Sequence, residues 1–192
     1  MLRPFFALSI VIAIVGSSCQ ELPHQTGTRV QVLEHGRIEE LNPNDIAVPP
    51  IVLAQEGLRV PEELRAAFQR GLVKRRYTPL SLEYVDSSVV EASYDPGRLQ
   101  EDAVCQVTVY DWDSSLWDAR TALFVDIEMR MIDPEAPDGP ALFAARLPGR
   151  FDFGGESHRY ANDNARLRAA CDHLVEEMLS VMPARRTGPG RL

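Results

Sequence analysis

Residues 123–132 read Leu-Phe-Val-Asp-Ile-Glu-Met-Arg-Met-Ile, and this run decides the fold. Leu123, Val125, Ile127, Met129 and Met131 occupy every second position, with Asp126, Glu128 and Arg130 between them. Successive side chains of a strand point to opposite faces, so this period of two predicts a half-buried strand with one wet face. Just upstream, Ala103, Cys105, Val107 and Val109 alternate with Gln106, Thr108 and Tyr110, predicting a second such strand. Downstream, residues 133–140 hold Asp133-Pro134 and Gly139-Pro140, a turn-rich loop, and residues 141–147 return as a third strand. The three together predict an antiparallel run.

Residues 160–182 form a long amphipathic pattern. Leu167, Ala170, Cys171, Leu174, Val175, Met178 and Val181 follow helical spacing, Asn162 or Asp163 serves as N-cap, and Pro183 stops the helix. Toward the N-terminus, Leu64, Phe68 and Leu72 make one apolar stripe with Ala67 and Gly71. With Pro61 at the start and Glu62 and Glu63 in the first turn, residues 61–75 are a helix. Residues 45–48 predict a short strand ended by Pro49-Pro50, because proline cannot continue a ladder inside a sheet. Residues 28–33 predict an edge strand, 77–85 a further strand and 87–94 a short helix. The class is therefore α/β of the α+β kind: a mixed, partly antiparallel sheet with helices packed on one face, the other face solvated or meeting a partner.

The first residues predict export. Arg3 is the only charge before an apolar run that ends at Gly16-Ser17-Ser18-Cys19, a charged start and small-residue end that define a secretory signal. The run is short of the roughly 20 apolar residues a membrane-spanning helix needs. Small residues directly before Cys19 resemble the bacterial lipobox, with Gly16 standing where that pattern prefers an aliphatic residue. The resemblance implies cleavage before Cys19 and attachment of lipid, palmitate included, to it. Two or more acyl chains give stable membrane anchoring where one does not. Gln20 follows in place of Asp, which by the usual sorting pattern implies a periplasm-facing outer-membrane location in the cell envelope. The expected organisation is signal peptide 1–18, lipidated cysteine and polar tether 19–27, one globular domain 28–183, and a disordered tail 184–192.

A formal charge of −8 argues against a basic patch for nucleic acid or an anionic membrane surface. Export permits a disulfide between Cys105 and Cys171, while two buried free thiols fit their apolar faces equally well. Asp111, Asp113 and Asp118, interleaved with Trp112 and Trp117, are the one cluster that suggests catalysis, as paired carboxylates serve glycoside hydrolysis. Solvated loop acids account for the same residues more simply. His24, His35, His158 and His173 are scattered, so no metal or cofactor is expected. Trp112, Trp117, Tyr110 and Tyr94 are candidates for a partner surface, with both tryptophans plugging the sheet edge as the alternative.

The order of segments resembles a family of small envelope lipoproteins whose domain is similar to the TolB N-terminal domain and the curli-secretion lipoprotein. Ile46-Ala47-Val48-Pro49-Pro50 resembles that group's first strand, and residues 72–80 (LVKRRYTPL) its next, with Arg76 where Gly is usual. Asp102-Ala103-Val104, the following run through Trp112, and Glu128-Met129-Arg130-Met131-Ile132-Asp133 resemble its later strands. The resemblance implies a non-catalytic accessory or assembly factor for a secretion, transport or envelope complex, with protein partners and a tendency to homo-oligomers. The other functions the sequence permits are a secreted hydrolase of envelope glycan and a small-ligand or lipid-binding periplasmic domain.

Overall fold

The computed structural model describes residues 30–90, 93–154 and 162–187. The signal segment, Cys19 and the tether lie outside the described residues. Three long antiparallel strands form the body of the sheet: β5 (Ala103–Asp113), β6 (Ala122–Ile132) and β7 (Phe143–Asp152). On one side β1 (Gln31–His35) pairs antiparallel with β7 as an edge strand. On the other, β2 (Asp45–Ala47) runs parallel to β5, and β4 (Thr78–Pro79) runs parallel to β2 at the second edge. The order is β1-β7-β6-β5-β2-β4, with β3 (Val52–Leu53) also paired to β5. The mixed sheet expected from the sequence is therefore observed.

Pro49-Pro50 explains why β2 and β3 are two short pieces along the same partner. Two prolines remove two backbone donors, so the ladder breaks and resumes at Val52. The Val48 carbonyl loses its sheet partner there and accepts instead from Arg65, from Nε at 2.9 Å and Nη2 at 2.8 Å.

Two long helices cover one face of the sheet, α2 (Glu62–Lys74) and α5 (Asp163–Ser180). Pro61 supplies the extended residue before α2, and Asn162 caps α5 by accepting from the Ala165 N–H at 2.9 Å. The sequence places Pro61 one position further in, as the first helical residue, and leaves the α5 cap open between Asn162 and Asp163. The helices meet at Gly71, where a Cβ would lie 2.7 Å from Leu179 Cδ1 and 2.8 Å from Val175 Cγ1. Beside that contact Arg70 donates twice to Asp172 Oδ1 (2.9 and 2.7 Å), and Lys74 pairs with Glu176. Beneath them Phe68, Leu64, Leu174, Met129, Ile127 and Leu147 form the main core.

Three expectations are corrected. Residues 77–85 are not one strand: Pro79 ends the pairing, and Ser81 Oγ accepts from the Tyr84 N–H (3.2 Å) to cap a one-turn helix, α3 (Leu82–Asp86). The helix expected at 87–94 lies earlier than predicted, and Val90 instead bridges Ser93. Helices are also not confined to one face. Val85 of α3 packs with Ala47 and Val104 in a second, smaller core on the opposite face, joined by Leu80, Tyr94, Leu99 and Ile132. Two further short helices, α1 (Ile38–Leu41) and α4 (Trp117–Arg120), were not anticipated.

α2 ends in a left-handed turn. The Arg76 N–H donates to the Val73 carbonyl (2.9 Å) and the Tyr77 N–H to the Leu72 carbonyl (3.1 Å). Arg76 itself has φ 70°, where glycine is the usual occupant and a residue with a side chain costs about 1 kcal/mol or more. The chain after α5 docks beside this turn: the Tyr77 hydroxyl donates to the Pro183 carbonyl at 2.8 Å and the Arg185 N–H to the Arg75 carbonyl at 3.0 Å. Arg186 and Asn42 exchange two hydrogen bonds, of 2.9 and 3.0 Å. The chain after Pro183 is thus hydrogen-bonded to the domain as far as Arg186.

Candidate interaction surface

Among the described residues the second face of the sheet is covered where α3, Tyr94 and Leu99 pack. Over the rest, the residues that alternate with the core form an open polar surface. On β6 these are Phe124, Asp126, Glu128 and Arg130. Across the ladder Glu128 stands opposite Arg146, Phe124 opposite Arg150, and Thr108 of β5 opposite Glu128.

The side chains of this face hold one another. Arg146 grips Asp126 with two parallel bonds, Nε to Oδ1 at 2.7 Å and Nη2 to Oδ2 at 2.6 Å, the fork geometry in which guanidinium and carboxylate fit best. That pairing holds Arg146 charged well above its ordinary range. The guanidinium also lies over the Tyr110 ring, 4.5 Å from its centroid. Tyr110 donates to Glu128 Oε2 at 3.2 Å. Partial burial, then the Glu128 charge, push its phenol up. Glu128 faces Arg130 (3.8 Å), which reaches Glu34 of β1 at 3.9 Å. Glu34 accepts in turn from the Ala141 N–H. One chain of alternating charges, with a ring in it, therefore crosses four strands. It fixes the relief of the surface.

A β-bulge places Tyr110 in this chain. The register of β5 on β6 shifts between Val109 and Asp111, so that Val109 stands opposite Ile127 but Asp111 stands opposite Asp126. Beyond the shift Asp111 and Asp113 lie on the polar face and Trp112 on the core face. Strand alternation puts Trp112 on the face opposite its two acidic neighbours, but the sequence carries no sign of the bulge.

The acidic cluster lies at the end of β5 and in α4, on the water side of the fold. Asp111, Asp113 and Asp118 are all exposed. Asp113 accepts from the Ser115 N–H at 2.7 Å, and that bond holds its carboxyl below the usual range, the opposite of what a general acid needs. Trp112, 7% exposed, belongs to the main core. Trp117 packs edge-on to Phe153 with the Arg166 guanidinium over it. Trp117 is partly buried against the main core, Tyr110 lies on the open face and Tyr94 packs in the second core. Cys105 and Cys171 are both free and buried, so no bridge joins them, and burial pushes each thiol up to about 12.

A cleft of 670 Å³ lies where β3, the start of α2 and α3 meet. Pro50, Ile51, Leu53, Val60, Leu82 and Val89 give it apolar walls. Glu62, Glu83 and Asp86 stand at the same cleft, and Asp86 is taken by Arg65 at 2.7 Å. Among the described residues no helix is long and apolar enough to cross a membrane.

No protein-family model matches the chain, and no curated protein matches it in sequence. Solved structures do resemble it. The PelC dodecamer from Paraburkholderia phytofirmans is 14% identical over 82% of this chain and 98% of that one, with a TM-score of 0.50. Lipoprotein GNA1162 from Neisseria meningitidis is 18% identical over 72% of this chain and 99% of that one (TM-score 0.48). A DUF4136 family protein from Bacteroides thetaiotaomicron is 12% identical over 79% and 93%, with a TM-score of 0.45. At such identities what the chain shares with the PelC protomer is a fold, across nearly the whole of that protomer.

Proposed function

We propose that this is a non-catalytic envelope protein, held to the membrane by lipid on Cys19, that works as an accessory or assembly factor by binding protein partners and copies of itself. The observation that carries the reading is the open face from Tyr110 to Glu34. Its carboxylates are engaged by guanidinium groups, a phenol or a backbone N–H, which makes them fixed points for recognition rather than proton carriers. The Gly-Ser-Ser-Cys end of the leader motivates the anchor, and the PelC fold, solved as a dodecamer, is in keeping with self-assembly.

Replacing Cys19 with Ala should move the protein from the membrane fraction to the soluble periplasmic fraction, and an unchanged distribution would end the anchor reading. A photo-crosslinker at Phe124 should trap envelope proteins in membranes, and Arg146→Glu should abolish those adducts. Recovery of uncrosslinked monomer alone would count against partner binding. The hydrolase reading rests on Asp111, Asp113 and Asp118. Envelope-glycan turnover lost on Asp→Asn substitution would restore it.

A further inference from the structure

We infer that copies of this chain join head to tail, with the C-terminal end of α2 of one copy seated in the cleft at the N-terminal end of α2 of the next. This rests on the self-association in the functional reading and names the surfaces that carry it.

Arg76 is the starting point. It occupies the left-handed position after α2 with φ 70°, where glycine would sit without strain. Its side chain is exposed and makes no hydrogen bond or ion pair among the described residues. The domain therefore holds an unfavourable backbone conformation and, among the described residues, gains no hydrogen bond or ion pair from that side chain. Strain held without internal return points to a role outside the protomer. One helical turn before it stands Val73, 58% exposed, the most exposed large apolar residue described. A cation and a bare apolar side chain thus share one knob.

The cleft at the other end of α2 has the complementary character. Leu53, 44% exposed, Ile51 and Val89 give it apolar surface. Glu62 and Glu83 stand there with no cationic partner among the described residues, while Asp86 is already taken by Arg65. Among the described residues β3 pairs with β5 alone, which leaves its outer edge open. Val73 matches the apolar wall, and Arg76 matches Glu62 and Glu83.

Geometry makes the contact heterologous. α2 has 13 residues, so cleft and knob lie about 20 Å apart at opposite ends of one helix. No copy can satisfy its own cleft, and each presents both surfaces. Such contacts build a ring where the rotation closes and a filament where it does not.

Sedimentation velocity on the full chain in detergent micelles tests this, in four arms. Arg76→Gly removes the strain with the side chain. It should keep or raise thermal stability yet weaken self-association by about tenfold or more, a combination that damage to the fold does not give. Arg76→Glu alone and the pair Glu62→Lys with Glu83→Lys alone should each sediment as smaller species. Mixing those two variants should restore the wild-type assembly, because each mixed contact again joins opposite charges. Oligomers that persist through every substitution, or a mixture that fails to recover, overturn the contact and leave the envelope-assembly reading standing. A wild-type chain monomeric at all concentrations overturns the contact together with the self-association. Crosslinking from the Phe124 face then reports separately on other partners.

Discussion

The two faces of the sheet are built from the same strands and stabilised in different ways. On the face under α2 and α5, Val107, Ile127, Met129 and Leu147 are fully buried, and the helices meet closely enough at Gly71 to leave no room for a Cβ. On the other face the alternate residues of those strands keep partial contact with water and are organised by pairing. There Arg146 binds Asp126, and Tyr110 binds Glu128. Burial of apolar area supplies folding energy without much direction, whereas bonded charges supply direction with little net energy. The first face holds the domain together, and the second keeps a fixed pattern facing outward.

The largest test of this contrast is alkaline titration. Cys105, Cys171 and Tyr77 are each raised to about 12, chiefly by burial, so the folded state holds their protons more tightly than the unfolded chain does. Their contribution is complete below about pH 9, where the free thiols begin to ionise, and is lost as pH climbs to about 12. Denaturant titrations across that window should show a loss of several kcal/mol in sum. A flat profile would mean that the helix-covered face is wetter than described. Next in size, Phe68→Ala should destabilise by about 3–5 kcal/mol in the same measurement.

Substitutions on the open face should do much less to stability and more to binding. Asp126→Asn breaks the fork with Arg146 at a partly exposed site and should cost about 1 kcal/mol. A loss as large as that of Phe68→Ala would erase the distinction between the faces. Phe124→Ser, on a residue 38% exposed, should change stability by no more than about 0.5 kcal/mol. Smallest of all, a thiol reductant should leave the melting temperature of the domain unchanged, since Cys105 and Cys171 are unbridged. A fall on reduction would place a disulfide inside the dry face.

Much of the helix-covered face was legible in sequence, because periodicity is a local property. The alternation through β6, the stripe of α2 behind Pro61 and the cap at Asn162 each depend on neighbours within a few positions. The open face was legible only as polar. Which charge meets which depends on register: Arg146 and Asp126 are 20 residues apart, on strands whose alignment the sequence does not state. For the same reason the chain past Pro183 read as a loose tail. Its hydrogen bonds go to Arg75 and Asn42, more than a hundred residues away. The strand expected at 77–85 failed differently, because Ser81 offered a cap that redirected the chain into α3 just after Pro79.

The bulge on β5 has one more consequence, which concerns insertions and deletions. On both sides of it the pairing with β6 is regular: Thr108 opposite Glu128 and Val109 opposite Ile127, then Asp111 opposite Asp126 and Trp112 opposite Val125. Excising Tyr110 would make that sequence of pairs continuous, with Trp112 still inward and Asp111 still outward. β5 therefore carries one residue more than its ladder with β6 needs, and that surplus residue is the ring on which Arg146 rests. A shortened chain should keep the architecture and lose this piece of the outer face, so recognition here can be altered by the length of the chain as well as by its composition.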